Sequence, residues 1–324
     1  MAHSVVEWDD YYEVEHSWNY NGKECSITLN ISKNLYDYYR NEREHQAYVY
    51  QFKGGELPPN YYSFMLSEHD RSLMQAVSQE FRRYALTEKD RINLALTFVQ
   101  SLPYAFDIDS KGTDEYVRYP VETLVDGCGD CEDKVALLTA LLYEMDVDFL
   151  LLVLPEHMAL GVHCDEVEAE RYLLYQDKKY YYMETTMPNW QIGQIPEAYC
   201  SSEMEAIPVD DSPNLLIKEV RFESQPTKVF DKAQCTLKVD LHNLGPGIVT
   251  ELRLHVRIIE RGCPNRLLAQ EYYSLRDMQE GEQRMESLSL KSLIRENSVL
   301  VVELTSEDVT IQVSTLDIQY SKAR

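Results

Sequence analysis

The stretch DGCGDCEDKVALLTALLYEM, residues 126–145, decides how the front of this chain folds. Two cysteines stand among acidic residues, and an apolar run with helical spacing follows them. Asp130 is a natural N-cap residue, so Cys131 is predicted to be the first residue inside the helix. Three interpretations of the thiols are open: a C-x-x-C metal or redox pair, a catalytic nucleophile, or helix capping beside a structural cysteine.

A thiol at the start of a helix faces backbone N–H groups and the positive end of the helix dipole. This position lowers the thiol pKa, and the same N–H groups can receive an oxyanion. Asp130, Glu132 and Asp133 act in the opposite direction, because carboxylates destabilise a nearby thiolate. Each effect is about 1 kcal/mol, so a thiolate at Cys131 requires a cation in contact, usually an imidazolium.

Two later strands carry the partners that such a thiol needs. His157 opens the strand HMALGV, and Glu184 ends the aromatic strand YYYMET, where it can orient the imidazole. Cysteine, histidine and acid in this order are typical of a Cys–His–acid triad. Gln100 is a candidate side-chain donor to the oxyanion, with a solvated helix end as the alternative. Trp190 and Tyr182 are candidates for the wall of a substrate groove, with core packing as the alternative.

Metal and redox interpretations of the cysteine pair have less support in the sequence. No second C-x-x-C and no H-x₃₋₅-H is present to complete a tetrahedral zinc site around Cys128 and Cys131. A thioredoxin-type dithiol would follow the strand of a βαβ unit, which is not predicted here. No metal and no organic cofactor is therefore expected.

The motifs resemble the transglutaminase-like, papain-related superfamily, especially its prokaryotic cysteine-peptidase branch. The resemblance covers residues 90–197 and is carried by YPVETLVDGCGDCEDKVALLTALL, LPEHMALGV and YYYMETTMPNWQIGQIP, with FVQSLPY upstream. It implies that Cys131 is the nucleophile, His157 the general base and Glu184 the orienting acid. It also implies an α+β papain-like core.

Charge and composition divide the chain into two parts. Residues 214–324 carry 15 basic and 16 acidic side chains, so nearly all of the net charge of −24 lies in the front part. That front part should repel nucleic acid and anionic membranes, and its charge serves either to attract basic partners or only to keep the protein in solution. The segment SSEMEAIPVDDSP, residues 201–213, is polar and aperiodic, which is typical of a linker.

Local patterns predict the elements on each side of that linker. Asn21-Gly22 predicts a β-hairpin, helices are expected at 67–85 and 88–101, and strands follow the cysteine helix. Beyond residue 213, seven runs alternate apolar and polar residues, which indicates an immunoglobulin-like sandwich. We therefore predict an α+β transglutaminase-like (papain-like core) domain at 1–205, a linker at 206–213, and an all-β immunoglobulin-like sandwich at 214–324.

The remaining composition limits location and function class. An apolar content of 44% is that of a globular protein, and no signal peptide or run long enough to span a bilayer is evident. Seven cysteines without a repeating framework favour reduced thiols and a cytoplasmic location.

The function predicted from these features is thiol-dependent acyl transfer, most simply as a cysteine peptidase or amidase acting on a peptide or protein. The acidic charge favours a basic substrate. Two alternatives are an amine-transferring transglutaminase and a non-catalytic binding module. Thiol reactivity separates the binding module from the enzymes, since a binding module needs no activated cysteine.

Overall fold

The computed structural model describes residues 10–41, 61–113, 116–210, 215–226, 233–261, 263–294, 297–307 and 309–318. The chain separates into two compact units, with the boundary between Asp211 and Ser212. The predicted linker thus begins slightly too early, because Ala206 and Ile207 lie in a short strand of the first unit.

The first unit opens with the predicted hairpin. Strands β1 (Tyr11–Tyr20) and β2 (Lys23–Ser32) pair antiparallel in an unbroken register. Asn21 and Gly22 form the turn with φ angles of 51° and 76°, which asparagine and glycine tolerate best. The prediction of a hairpin is confirmed, and the hairpin forms a sheet of its own.

Six α-helices follow in the described part of the first unit. They are α1 (Lys33–Asn41), α2 (Arg71–Tyr84), α3 (Glu88–Ser101), α4 (Asp107–Ser110), α5 (Pro120–Asp126) and α6 (Cys131–Glu144). The helices expected at 67–85 and 88–101 are confirmed. Thr87 caps α3 by accepting a hydrogen bond from the Asp90 N–H. Helix α2 begins later than expected, since its N-cap is Asp70.

A five-stranded antiparallel sheet completes the first unit, with strand order β5-β6-β4-β3-β7. Its strands are β3 (Phe149–Leu154), β4 (His157–Val162), β5 (Leu173–Tyr175), β6 (Lys178–Met183) and β7 (Glu205–Ile207). Helix α6 packs against β4 and against α2, α3 and α5. All residues of α6 from 133 to 142 are buried, so the helix is enclosed on every side.

The second unit contains all seven expected strands. They are β8 (Leu215–Pro226), β9 (Ala233–Asn243), β10 (Arg253–Glu260), β11 (Cys263–Ser274), β12 (Gln283–Ser292), β13 (Ser298–Ser306) and β14 (Val309–Asp317). They form two sheets, β12-β9-β8 and β11-β10-β13-β14. One apolar core joins Leu237 of the first sheet with Val256 and Val302 of the second. This arrangement is consistent with the predicted sandwich.

The predicted fold class is wrong for the front of the chain. Within the described ranges the structure is mostly β, with 42% strand against 26% helix, and it has four sheets rather than an α+β papain-like core. Periodicity located the elements but did not determine how they pair. The hairpin stands as a separate sheet, and the segment taken for a linker adds β7 to the large sheet.

The longest described helices have 14 residues, and none has the length and apolar character needed to cross a bilayer.

Candidate active site at the start of helix α6

The turn before α6 depends on two glycines. Gly127 ends α5 with a left-handed φ of 66°, a conformation that glycine adopts without strain. A Cβ atom added to Gly129 would lie 2.6 Å from the Cβ of Asp133, so only glycine leaves room there. The Asp130 N–H donates to Asp133 Oδ2 at 3.2 Å. Asp130 is therefore the N-cap and Cys131 the first helical residue, as predicted.

The Cys131 thiol is neutral in this arrangement. Its Sγ donates to Glu132 Oε2 at 2.8 Å. Burial, followed by the charge of Glu132 and this hydrogen bond, raises the pKa of the thiol, and the Met158 backbone opposes the rise only in part. No described residue, His157 included, offers the sulfur a cationic hydrogen-bond partner. The carboxylates thus outweigh the helix dipole, and the thiolate is not the resting form.

His157 and Glu184 meet on neighbouring strands. His157 is the first residue of β4, Glu184 follows the last residue of β6, and the two strands pair antiparallel. His157 Nε2 lies 3.2 Å from Glu184 Oε2. The imidazole stacks on the ring of Tyr199, with 4.5 Å between centroids and 4° between planes. Its other nitrogen, Nδ1, has no hydrogen bond within the described chain, so it is available for proton transfer.

Glu184 is held as a carboxylate by four hydrogen bonds. Oε2 accepts from His157 and from the Tyr182 hydroxyl at 2.9 Å. Oε1 accepts from the Thr186 N–H at 3.0 Å and from the Thr186 hydroxyl at 2.6 Å. Burial alone would raise the pKa of Glu184, but the hydrogen bonds from His157 and Thr186 lower it to about 2. An ionised, fixed carboxylate can orient the imidazole and stabilise its protonated form.

The fold brings the thiol beside this pair. The backbone of Met158, the residue after His157, is near enough to Sγ to lower the pKa of Cys131. Burial raises the pKa of Tyr182 and of Tyr199, which contact Glu184 and His157, and the charges of Glu184 and of a Cys131 thiolate add to the rise. The contact with Met158 therefore brings the thiol near the residue next to His157, although the sulfur points to Glu132.

Two other predicted site residues have different positions from those expected. Gln100 Nε2 donates to the backbone oxygens of Glu184, at 2.7 Å, and Trp190, at 3.0 Å. Both amide hydrogens are thus engaged, and Gln100 holds the loop after β6 rather than facing an oxyanion. Tyr182 is 3% exposed and supports Glu184, so it does not line a groove. Trp190 is half-buried and remains a candidate for the groove wall.

Two buried cations beneath the site were not found from the sequence. Arg118 is completely buried and contacts the carboxylates of Asp107, Asp126 and Asp133. Lys134, also buried, donates to the Leu102 carbonyl at 2.6 Å. Burial lowers the pKa of Lys134 to about 8. The groups that contact Arg118 and Lys134 lie on several different elements, so the spacing of residues along the sequence did not predict these contacts.

Three carboxylates next to the thiol form a candidate cation site. Asp107, Asp130 and Glu132 each place an oxygen within 4.8 Å of the others. Asp130 is 8% exposed, and its Oδ1 is buried without a hydrogen-bond partner. Burial and the neighbouring acids raise the pKa of both Asp130 and Asp107. Carboxylate oxygens suit a hard cation such as Ca²⁺ rather than the zinc considered from the cysteines.

We expect CaCl₂ to raise the unfolding temperature of the first unit. A cation that binds only the folded state stabilises it by about 2.7 kcal/mol at a hundredfold excess over Kd. The rise should be larger at higher pH, because the cation must replace the proton that burial keeps on Asp130. Tryptophan fluorescence during heating measures it. Asp130→Asn should remove the rise, whereas the matched change Asp109→Asn, at an exposed position, should keep it. An equal rise in both variants would place the cation elsewhere.

Comparisons with known proteins add little to this geometry. No protein-family model and no curated protein matches the sequence. A β-glucuronidase from glycoside hydrolase family 2 is similar at 9% identity over 30% of this chain and 11% of its own, with a TM-score of 0.25. Northeast Structural Genomics Consortium target SoR45 is similar at 12% identity over 36% of this chain and 99% of its own, also with a TM-score of 0.25. Neither likeness is close enough to show a common fold.

Proposed function

We propose that the first unit is a thiol-dependent acyl-transfer enzyme, most simply a cysteine peptidase or amidase. The observation that supports this best is the fixed pair of His157 and Glu184, 3.2 Å apart, beside a cysteine at the start of α6. A structural cysteine needs no oriented imidazole with a free Nδ1. The order of the motifs, which resembles that of transglutaminase-like enzymes, supports the same chemistry.

In the proposed reaction the sulfur first turns from Glu132 to His157 Nδ1. His157 takes the thiol proton while the sulfur attacks the carbonyl carbon of an amide, and the carbonyl π electrons move to oxygen. When the C–N bond breaks, the imidazolium gives its proton to the leaving amine and a thioester remains. Water, deprotonated by His157, then releases the acid and restores the thiol. Glu184 stabilises the imidazolium in both halves.

A basic substrate is the most suitable one for this site. Asp107, Asp130 and Glu132 converge beside the thiol, and nearly all of the net charge of −24 lies in the front part of the chain. Such a field raises the local concentration of cationic peptides and repels nucleic acid. The proposal of a cytoplasmic location continues to rest on the odd, unpatterned set of seven cysteines.

A binding module is the second candidate, and one observation favours it. The thiol that should react is protonated and hydrogen-bonded to Glu132 at 2.8 Å. An inactive scaffold would tolerate this contact indefinitely, whereas an enzyme must break it in each cycle. Amine transfer is a third outcome, because the acidic site would also attract a lysine-like acceptor.

One assay separates the three outcomes. Purified protein is given a library of glutamine-containing peptides, with and without a labelled primary amine. We expect peptide cleavage without amine incorporation, because water at about 55 M competes with any acceptor unless the site excludes it. Amine incorporation without cleavage, if Cys131→Ala removed it, would make the protein a transglutaminase. No reaction in either arm would favour the binding module.

A further inference from the structure

We propose that Tyr104 is a further catalytic residue, whose phenol donates the side-chain hydrogen bond to the oxyanion formed at Cys131. The inference rests on the proposed acyl-transfer function and names the donor that Gln100 cannot provide. Both hydrogens of the Gln100 amide are engaged by backbone oxygens. The start of α6 supplies backbone N–H groups as further donors.

Backbone hydrogen bonds place Tyr104 beside the turn that precedes the N-terminus of α6. Tyr104 pairs with Gly129 in a parallel bridge. The Gly129 N–H donates to the Pro103 carbonyl, and the Ala105 N–H donates to the Gly129 carbonyl, both at 3.2 Å. Because Gly129 precedes Cys131 by two positions, these bonds tie Tyr104 to the turn that presents the thiol.

The Tyr104 side chain is oriented yet has an uncommitted hydroxyl. Its ring packs edge-to-face on Phe106, with 5.2 Å between centroids and 79° between planes. The residue is 43% exposed, and its hydroxyl makes no hydrogen bond to any residue that the structure describes. A ring packed on a neighbour and an uncommitted O–H allow the phenol to donate to an oxyanion that comes within about 2.7–3.1 Å of the hydroxyl oxygen.

The pKa of the Tyr104 phenol also depends on the charge at the sulfur. Burial raises the pKa of Tyr104, and the largest contribution from a charged group is that of a Cys131 thiolate, followed by Asp130 and Glu132. The phenol therefore stays protonated at neutral pH, and the backbone bridge between Tyr104 and Gly129 holds its residue on the turn that carries the thiol. It can donate to an anion that develops next to the sulfur.

The chemistry creates a need for this donor. As the S–C bond forms, the carbonyl π pair moves to oxygen and leaves a full negative charge there. The Glu132 carboxylate, 2.8 Å from Sγ, opposes a further anion here. The Cys131 N–H and the Tyr104 O–H together would stabilise the charge until the leaving group departs and the carbonyl re-forms. Loss of one such donor typically slows the chemical step by about 10²–10³-fold.

Two probes of the same sulfur test the proposal. In acylation by p-nitrophenyl acetate, the sulfur attacks a carbonyl, an oxyanion forms and p-nitrophenolate leaves. In alkylation by iodoacetamide, the sulfur displaces iodide and no oxyanion forms. Tyr104→Phe keeps the ring and removes the hydroxyl. We expect acylation of Cys131 to slow by about 10²-fold in this variant, with alkylation changed less than about twofold.

Tyr172→Phe is the matched control. Tyr172 is 46% exposed and packs edge-to-face on Tyr181, and its variant should acylate at the wild-type rate. Equal acylation by wild type and Tyr104→Phe would overturn the role of Tyr104 and leave the proposed function intact. A parallel loss of alkylation would also overturn it, since it would mean a displaced thiol. If the wild-type protein showed no Cys131-dependent acylation, both the proposed acyl-transfer function and the role of Tyr104 would be contradicted.

Discussion

Replacing Cys131 by alanine should reduce acyl transfer by about 10⁴-fold or more, to the level of non-specific catalysis. The reason is that the sulfur forms the covalent intermediate, and neither His157 nor Glu184 can replace a nucleophile. The loss is measured as the release of p-nitrophenolate from p-nitrophenyl acetate and as peptide cleavage. Cys131 is also partly exposed at the start of α6, so its truncation should leave the fold intact.

Cys128 provides the matched control for that experiment. It belongs to the same turn, is also partly exposed and also has a raised thiol pKa, chiefly through burial. Cys128→Ala should keep acyl transfer close to the wild-type rate, because Cys128 has no place in the His157–Glu184 arrangement. If Cys128→Ala and Cys131→Ala lost activity equally, a dithiol mechanism would replace the triad. Full activity in Cys131→Ala would disprove the proposed nucleophile.

Replacing Arg118 by methionine should destabilise the first unit by about 3–5 kcal/mol. Arg118 is fully buried, and its guanidinium contacts Asp107 at 3.1 Å, Asp126 at 3.1 Å and also Asp133. It donates to the Ser110 hydroxyl at 2.6 Å as well. Removal of the cation leaves Asp107 and Asp133 in a poorly solvated place without this counter-ion, whereas Asp126 keeps Lys111 at 2.6 Å. Their mutual repulsion adds to the cost of burial.

Urea unfolding followed by tryptophan fluorescence measures this effect. Trp18 and Trp190 belong to the first unit, and the sequence from residue 212 onward contains no tryptophan, so the signal is independent of the second unit. Arg118→Lys should lose part of the stability, because an ammonium cannot reproduce the forked contacts of a guanidinium. Arg83→Met removes the exposed ion pair with Glu80 and should change stability by less than about 1 kcal/mol. A similarly small change in Arg118→Met would show that the acids carry protons and need no cation.

The sequence by itself located most elements of this protein. Asn21-Gly22 predicted the hairpin, and Asp130 predicted that α6 begins at Cys131. Period-two alternation predicted the seven strands of the second unit. These features depend on neighbours within a few residues, where turn conformation, capping and side-chain alternation act directly. For the same reason, the order of the candidate triad could be read along the chain.

The tertiary structure alone decided the fold class and the state of the site. The choice of strand partners is non-local, and it produced four sheets and a mostly β chain instead of an α+β papain-like core. The Gln100 amide donates to two backbone carbonyls that are distant in sequence, and it therefore holds the loop after β6. The pKa of Cys131 followed from burial and from the position of Glu132. Desolvation depends on which elements close around a group, and that is a property of the packed chain, not of its local sequence.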